Sequence, residues 1–256
     1  MFAEFLNNII LYPFFITLVR LSGIFATAPF YADKGVSPKT RLAIAVVLSI
    51  AIAPAISNFI PAIPKSVGLL LLVVLGEFFI GLLLGFGAKL FMLAVNICGD
   101  FMASMMGLQA ASMFDTRTGS NTTSLSSMLS IIALAAFIAL DFHLYLLQAF
   151  IESYNIIGFN KAMDLGEVAA AIILTVSKAM ILGIKMSAPV VVTNFIVNAA
   201  LGVLNRLVPQ IHVFFISMPL TMLTGIFILV LSLASMLILF TEEVENNLII
   251  FSQEVD

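Results

Sequence analysis

The chain has 256 residues, 62% of them hydrophobic and 10% charged, with a net charge of −3 and a mean hydropathy of +1.18. A soluble globular domain carries roughly a quarter charged residues and under half apolar ones, so a water-soluble body is excluded and lipid or partner proteins must cover the surface. The negative balance leaves no basic footprint for nucleic acid, and the single cysteine, Cys98, excludes an intramolecular disulfide.

The N-terminus, MFAEFLNN, carries Glu4 and no Lys or Arg ahead of its apolar stretch. It therefore reads as a retained helix and not as a cleavable signal peptide. A membrane-crossing helix needs about twenty mostly apolar residues, and six stretches qualify or nearly do. The first runs from about Ile9 to Phe30 and is broken by Pro13 and Pro29. A polar turn, Asp33 to Thr40, leads to the second, Leu42 to Ile60. The third starts near Val67 and continues past Ala88 towards Met106. The fourth is Leu125 to Phe150, followed by a longer polar link, Glu152 to Glu167. The fifth starts near Val168 and passes Pro189 to Leu204; the sixth is Val213 to Phe240, closed by the acidic Glu242, Glu243 and Glu245. No polar block or internal repeat divides the chain, so one domain over 1–256 is expected. Lys34, Lys39, Arg41, Arg117 and Arg206 fall on one side of six spans, against Lys65 and Lys161 on the other. The positive-inside rule then places both termini outside the cytoplasm.

The third and fifth stretches are too long for one straight crossing and carry charges well inside, Glu77 and Lys89 in one, Lys178 and Lys185 in the other. Ionisable residues at membrane depth face a protein interior or water. Prolines within helices kink them, and Pro54, Pro189 and Pro219 lie inside apolar runs. The expected fold is an all-α membrane protein of bent helical hairpins, packed on neighbours in a larger assembly. Arg20, Glu77, Lys89, Asp100, Lys178 and Lys185 could pair across helices, with Glu77 to Lys178 or Lys185 the first pairing to expect. Such charges serve either a proton relay or inter-helix pairs that fix register. No alternating chain of Asp, Glu and His is visible, which favours the pairs. Gly81 and Gly85 lie four residues apart, the spacing that lets helix backbones approach closely in lipid. Asp141 and His143 end the fourth stretch, but only one other histidine, His212, could join them, too few ligands for a metal site. No Ser or Cys with an oriented base marks a nucleophile, so neither an enzyme nor a cofactor is expected. Cys98 reads as a small packing residue.

The most informative stretch runs from Met102 to Thr123. It begins as a Met-rich helix end, with Met105 and Met106, and continues through Gly107, Met113, Phe114, Asp115, Arg117 and Gly119 into Ser, Asn and Thr. Irregular backbone at membrane depth must be buried in protein or line a watery lumen. Soft, unbranched methionine seals around changing shapes, so a Met and Phe ring with a polar loop suits a gate. The other reading is a surface loop between two helices.

The chain resembles the FliR family of flagellar export proteins and its virulence-secretion relatives over about Leu18 to Leu233. The blocks that carry the resemblance are Val19-Arg20-Leu-Ser-Gly23 with Pro29-Phe30, Gly76-Glu77 with Gly81 and Gly85, Gly99-Asp100, and Gly107-Leu-Gln109. Phe114-Asp115, Gly119-Ser, Leu140-Asp141-Phe-His143, Ala188-Pro189, Leu201-Gly202 to Pro209-Gln210 and Pro219-Leu220 follow in the expected order. Phe142 stands where the family more often has Gly. The resemblance implies a subunit that looks like a FliP and a FliQ fused. It would complete a helical export-gate assembly with FliP and FliQ, wrapped by an FlhB-type partner, in the bacterial inner membrane at the flagellar basal body. It also implies a plug-like loop over 107–123, with Met105, Met106, Met113 and Phe114 in the gasket region and unfolded export substrates passing beside it. Arg20, Glu77, Lys178, Lys185, Asp141, His143 and Arg206 are the charged and polar residues expected to pair between helices. The alternative function is a secondary transporter for a small solute, with a midplane site between broken helices.

Overall fold

The computed structural model describes residues 11–29, 36–60, 63–64, 66–109, 123–156, 165–208 and 213–253. Among these, seven α-helices carry the fold: α1 (Tyr12–Thr27), α2 (Pro38–Ile56), α3 (Val67–Met105), α4 (Ser124–Ala139), α5 (Phe142–Ile156), α6 (Leu165–Leu207) and α7 (Val213–Gln253). A 3-10 turn, Ser57–Phe59, follows α2. No strand occurs among the described residues, and the all-α expectation holds.

Local chemistry sets the ends. Pro13 sits in the first turn of α1, where a missing N–H costs nothing. Ala28 is extended (φ −60°, ψ 141°) because it precedes Pro29, which disfavours the helical region for its neighbour. The two prolines therefore bound α1 rather than interrupt it. Ser37 caps α2, its side chain accepting from the Thr40 N–H, with Pro38 at the first helical position. Thr123 caps α4 in the same manner, accepting from the Ser126 N–H. Pro54, Pro189 and Pro219 lie inside α2, α6 and α7.

Helices α3, α6 and α7 hold 39, 43 and 41 residues. At about 1.5 Å per residue each is near 60 Å long, about twice the thickness of a hydrocarbon core. Among the described residues four helices are long and apolar enough to cross a membrane: α2 with its 3-10 extension, α3, α6 and α7. Helices α4 and α5 make a fifth if their pair, bent by 67°, is counted as one span. The chain is thus a multi-pass membrane protein, with four or five such spans among the described residues. Among the described residues the first apolar stretch holds the 16-residue α1. The fourth is broken at Asp141, whose φ of 58° is left-handed.

The chain forms two compact units. Unit 1 holds residues 1–90, 141–175 and 246–256; unit 2 holds 91–140 and 176–245. The core of unit 1 gathers Ile16, Leu21, Ile24 and Phe25 of α1, Ala45 and Ile56 of α2, Ala88 of α3, and Leu146, Phe150 and Tyr154 of α5. In unit 2, Val95 and Met102 of α3, Leu129 and Ala133 of α4, Leu182 and Met186 of α6, and Met236 and Phe240 of α7 are buried. Cys98 is fully enclosed there, as its packing role requires.

Candidate functional site

Two polar constellations interrupt this apolar packing, one in each unit. In unit 1, Arg20 is completely buried and Glu77 nearly so. The Arg20 Nε donates to Glu77 Oε2 at 2.6 Å, and Nη2 donates to Oε1 at 2.9 Å. Nη1 donates to the Ser153 hydroxyl at 2.7 Å, which itself donates to the Phe150 carbonyl. The guanidinium lies 3.6 Å over the Tyr154 ring, and Phe150 meets Tyr154 edge-on. A planar guanidinium fork matches a carboxylate bidentately and stacks on aromatic faces, which a lysine ammonium cannot do.

The reach of this pair depends on glycine. A Cβ on Gly81 would overlap the Arg20 carbonyl. One on Gly85 would meet the Ile24 carbonyl at 2.6 Å, and one on Gly23 would meet the Phe78 carbonyl at 2.5 Å. Arg20 meets Gly81, Gly23 meets Leu82, and Ala28 meets Gly85, so α1 and this half of α3 run parallel at backbone contact distance. The small-residue spacing at Gly81 and Gly85 is the cause, and Gly23 supplies the matching face on α1.

In unit 2 the polar residues surround the end of α3. The Gly107 N–H bonds the Ser104 carbonyl at 3.2 Å, and the Leu108 N–H bonds the Ala103 carbonyl at 2.9 Å. With Gly107 at φ 74°, this is a Schellman stop, which needs a left-handed residue. Met106 is 1% exposed and packs on Gly225 of α7, where a Cβ would meet Met106 Cγ at 2.5 Å. Asn194, also fully buried, accepts from the Thr224 hydroxyl at 3.0 Å. Its Nδ2 has no hydrogen-bond partner among the described residues.

A second seam joins α3 to α4. Asp100 Oδ1 accepts from the Thr123 hydroxyl at 3.1 Å and from the Thr123 N–H at 3.5 Å. Asn96 Oδ1 accepts from Ser126 at 3.1 Å and from Ser130 at 2.7 Å, while its Nδ2 donates to the Met92 carbonyl. Between them Gly99 lies so close to Ser126 that a Cβ would meet its Cα at 2.5 Å.

The sequence-predicted residues divide accordingly. Arg20 and Glu77 are brought together, and this corrects the expected pairing of Glu77 with Lys178 or Lys185, because Arg20 engages both carboxylate oxygens. Lys178 is half-buried, and Lys89, Lys185 and Arg206 are exposed on the chain. Arg206 occupies the last turn of α6, where a cation favours the helix dipole. Asp141 is exposed and acts through its backbone; His143 is half-buried with an enclosed Nδ1 that finds no hydrogen bond among the described residues. Met105 is half-buried, beside the enclosed Met106. Met113, Phe114, Asp115 and Gly119 lie outside the described residues. No group of three or more His, Cys, Asp or Glu converges among the described residues. Sequence reasoning missed Ser153 and Tyr154 as partners of Arg20, and the Asn96–Ser126–Ser130 seam. Asn96, Gly99 and Asp100 fall at i, i+3 and i+4, one helix face, and that spacing was the available signal.

Residues 11–247 match the family described as Bacterial export proteins, family 1. The chain belongs to this family. It is similar to flagellar biosynthetic proteins FliR along nearly their whole length. That of Caulobacter vibrioides is 28% identical over 237 residues, covering 93% of this chain and 94% of the relative. That of Bacillus subtilis is 30% identical over 237 residues, 90% of each. That of Escherichia coli is 27% identical over 214 residues, 83% of this chain and 81% of the relative. As a FliR-family export protein, the chain is a component of the flagellar export apparatus. The blocks that carry its resemblance to the FliR family include Arg20, Gly23, Glu77, Gly81, Gly85, Gly99, Asp100 and Gly107, the residues that make the close contacts described above.

Proposed function

We propose that this chain is a structural and gating subunit of the flagellar type III export gate. It assembles with FliP- and FliQ-type subunits in the bacterial inner membrane, within the basal body, and meets an FlhB-type partner on the cytoplasmic side. The channel so formed conducts unfolded flagellar proteins, and the segment 107–123 closes it at rest. The chain shapes and seals the path and performs no catalysis; the energy for transport comes from partners or the proton motive force. The observation that supports this reading is the way the segment is held. It leaves α3 at a glycine stop and re-enters at the capped start of α4, and the methionine before that stop is locked into the unit 2 core.

Replacing residues 110–121 with a short Gly-Ser linker keeps the Gly107 stop and the Thr123 cap. Cells carrying this variant with its partner subunits are expected to leak small ions through the export gate. Unchanged membrane conductance in a complex that still assembles would remove the sealing role from this segment.

A further inference from the structure

Resting on membership of an export-gate assembly, we propose that the exposed face of α6 is a docking surface for a helix of a neighbouring gate subunit, whose Asp or Glu side chain pairs with Lys185. Within unit 2, α6 has two sides. Leu182, Met186, Val190 and Asn194 are buried, while Ile181, Ile184, Val192, Phe195 and Ile196 stand half exposed or more. These five fall on one face of the helix at its period of about 3.6 residues. Lys185 lies in the same stripe, one turn on from Ile181, and is exposed. Glu77, the carboxylate expected for it, is engaged by Arg20. The Lys185 ammonium forms no ion pair or hydrogen bond among the described residues. Two further polar groups interrupt the apolar surface of α6. Pro189, one turn on, carries no N–H, so the Lys185 carbonyl loses its helix donor. Asn198 is exposed about 20 Å farther along, at about 1.5 Å per residue. Its amide finds no partner among the described residues either.

What covers this surface must be polar at two points and apolar between them. Lipid tails match Val192, Phe195 and Ile196 but leave the ammonium, the carbonyl and the amide without partners, which hydrocarbon penalises heavily. Headgroups cannot serve both ends. Their two layers stand about 30 Å apart across the hydrocarbon, whereas Lys185 and Asn198 are about 20 Å apart along the helix. In a crossing helix one of the two therefore stays in hydrocarbon. A protein helix laid along α6 meets the whole set. A carboxylate pairs with the Lys185 ammonium, side-chain donors reach the freed carbonyl and Asn198, and apolar side chains pack between them. Close packing and hydrogen bonds across helices are what hold helices together in lipid. A buried charge also rejects a like charge, so Lys185 selects which subunit helix is accepted and at which register along α6.

The test uses the full chain co-expressed with its FliP- and FliQ-type subunits, with assembly followed by native mass spectrometry. Phe195 is replaced by the photo-cross-linker p-benzoylphenylalanine, an aromatic for an aromatic, and the membranes are illuminated. The expected product joins this position to a helix of a partner subunit that carries Asp or Glu about ten residues from the cross-linked site. Lys185→Glu is expected to lower the assembled fraction about tenfold or more, as loss of a desolvated charge pair implies. Lys185→Arg keeps the cation and should assemble as the parent does. Exchanging the mapped carboxylate for Lys should restore assembly of Lys185→Glu. Adducts with lipid alone or with a second copy of this chain, formed within an intact complex, would overturn the docking surface and leave the export-gate reading standing. Full assembly of Lys185→Glu would do the same. If Lys185→Glu fails to fold, the cross-link at position 195 decides the matter by its product, since that chain keeps Lys185. A parent chain that forms no complex with those subunits would overturn the export-gate reading and the docking surface with it.

Discussion

Arg20 has no water to turn to, so its partners carry its whole hydrogen-bonding demand. Removing one member of a buried pair leaves an uncompensated charge, a loss of about 3–5 kcal/mol. Arg20→Met and Glu77→Leu are therefore each expected to lower the thermal stability of the purified complex sharply. The double variant, which buries no charge, should recover much of the loss, and a cycle of the four proteins should show strong coupling. Additive losses would refute the pairing seen at 2.6 Å and 2.9 Å. Asp141 makes a different residue-scale case. Its φ of 58° suits Gly and is tolerated by Asp, while a β-branched side chain clashes there. Asp141→Gly is expected to match the parent in stability, and Asp141→Val to lose about 1–2 kcal/mol, read by thermal unfolding of the purified chain.

Helix packing turns on which glycines face a backbone. Gly81 and Gly85 on α3 and Gly23 on α1 occupy sites with no room for a Cβ, whereas nothing lies within 4 Å of a Cβ at Gly76. Alanine at Gly81 must push α1 away from α3, and Arg20 would move off Glu77 with it. Gly81→Ala and Gly85→Ala are expected to reduce the yield of folded protein strongly. Gly76→Ala should be neutral or gain up to about 1 kcal/mol from helix propensity. Unit 2 offers the same contrast between Gly183, whose Cβ would meet the Ala94 carbonyl at 2.7 Å, and Gly202, with open space around it. Equal effects across all five substitutions would mean that helix propensity, and not close approach, sets the cost.

At the scale of the whole molecule, the chain leaves large apolar side chains uncovered, among them Leu72, Ile131, Phe195, Phe215, Leu223 and Phe227. Lipid or protein must cover them, as the composition demands. Co-expression with FliP- and FliQ-type subunits is expected to give a hetero-oligomer holding one copy of this chain, weighed by native mass spectrometry. A stable monomer or homodimer that ignores those subunits would contradict the export-gate assignment.

The amino-acid sequence by itself determined the membrane class, the family, and where most of the apolar helices lie, although α7 runs on to Gln253, well past the expected end at Phe240. These depend on hydropathy, proline placement and local caps, all of which act within a few residues of chain. It also marked the right glycines and both members of the buried ion pair. It could not match Glu77 to Arg20, since Arg20, Lys89, Lys178 and Lys185 all lie in apolar helices and the parallel packing of α1 on α3 selects Arg20. The break at Asp141 was hidden because Leu125 to Phe150 is apolar on both sides of it, and hydropathy carries no record of a dihedral angle. The α3–α4 seam was only half legible: Asn96 and Asp100 share one face of α3, but nothing local pairs that face with Ser126 and Ser130 of α4. Tertiary structure decided these features because each depends on two segments distant in sequence meeting at a register that no local pattern encodes.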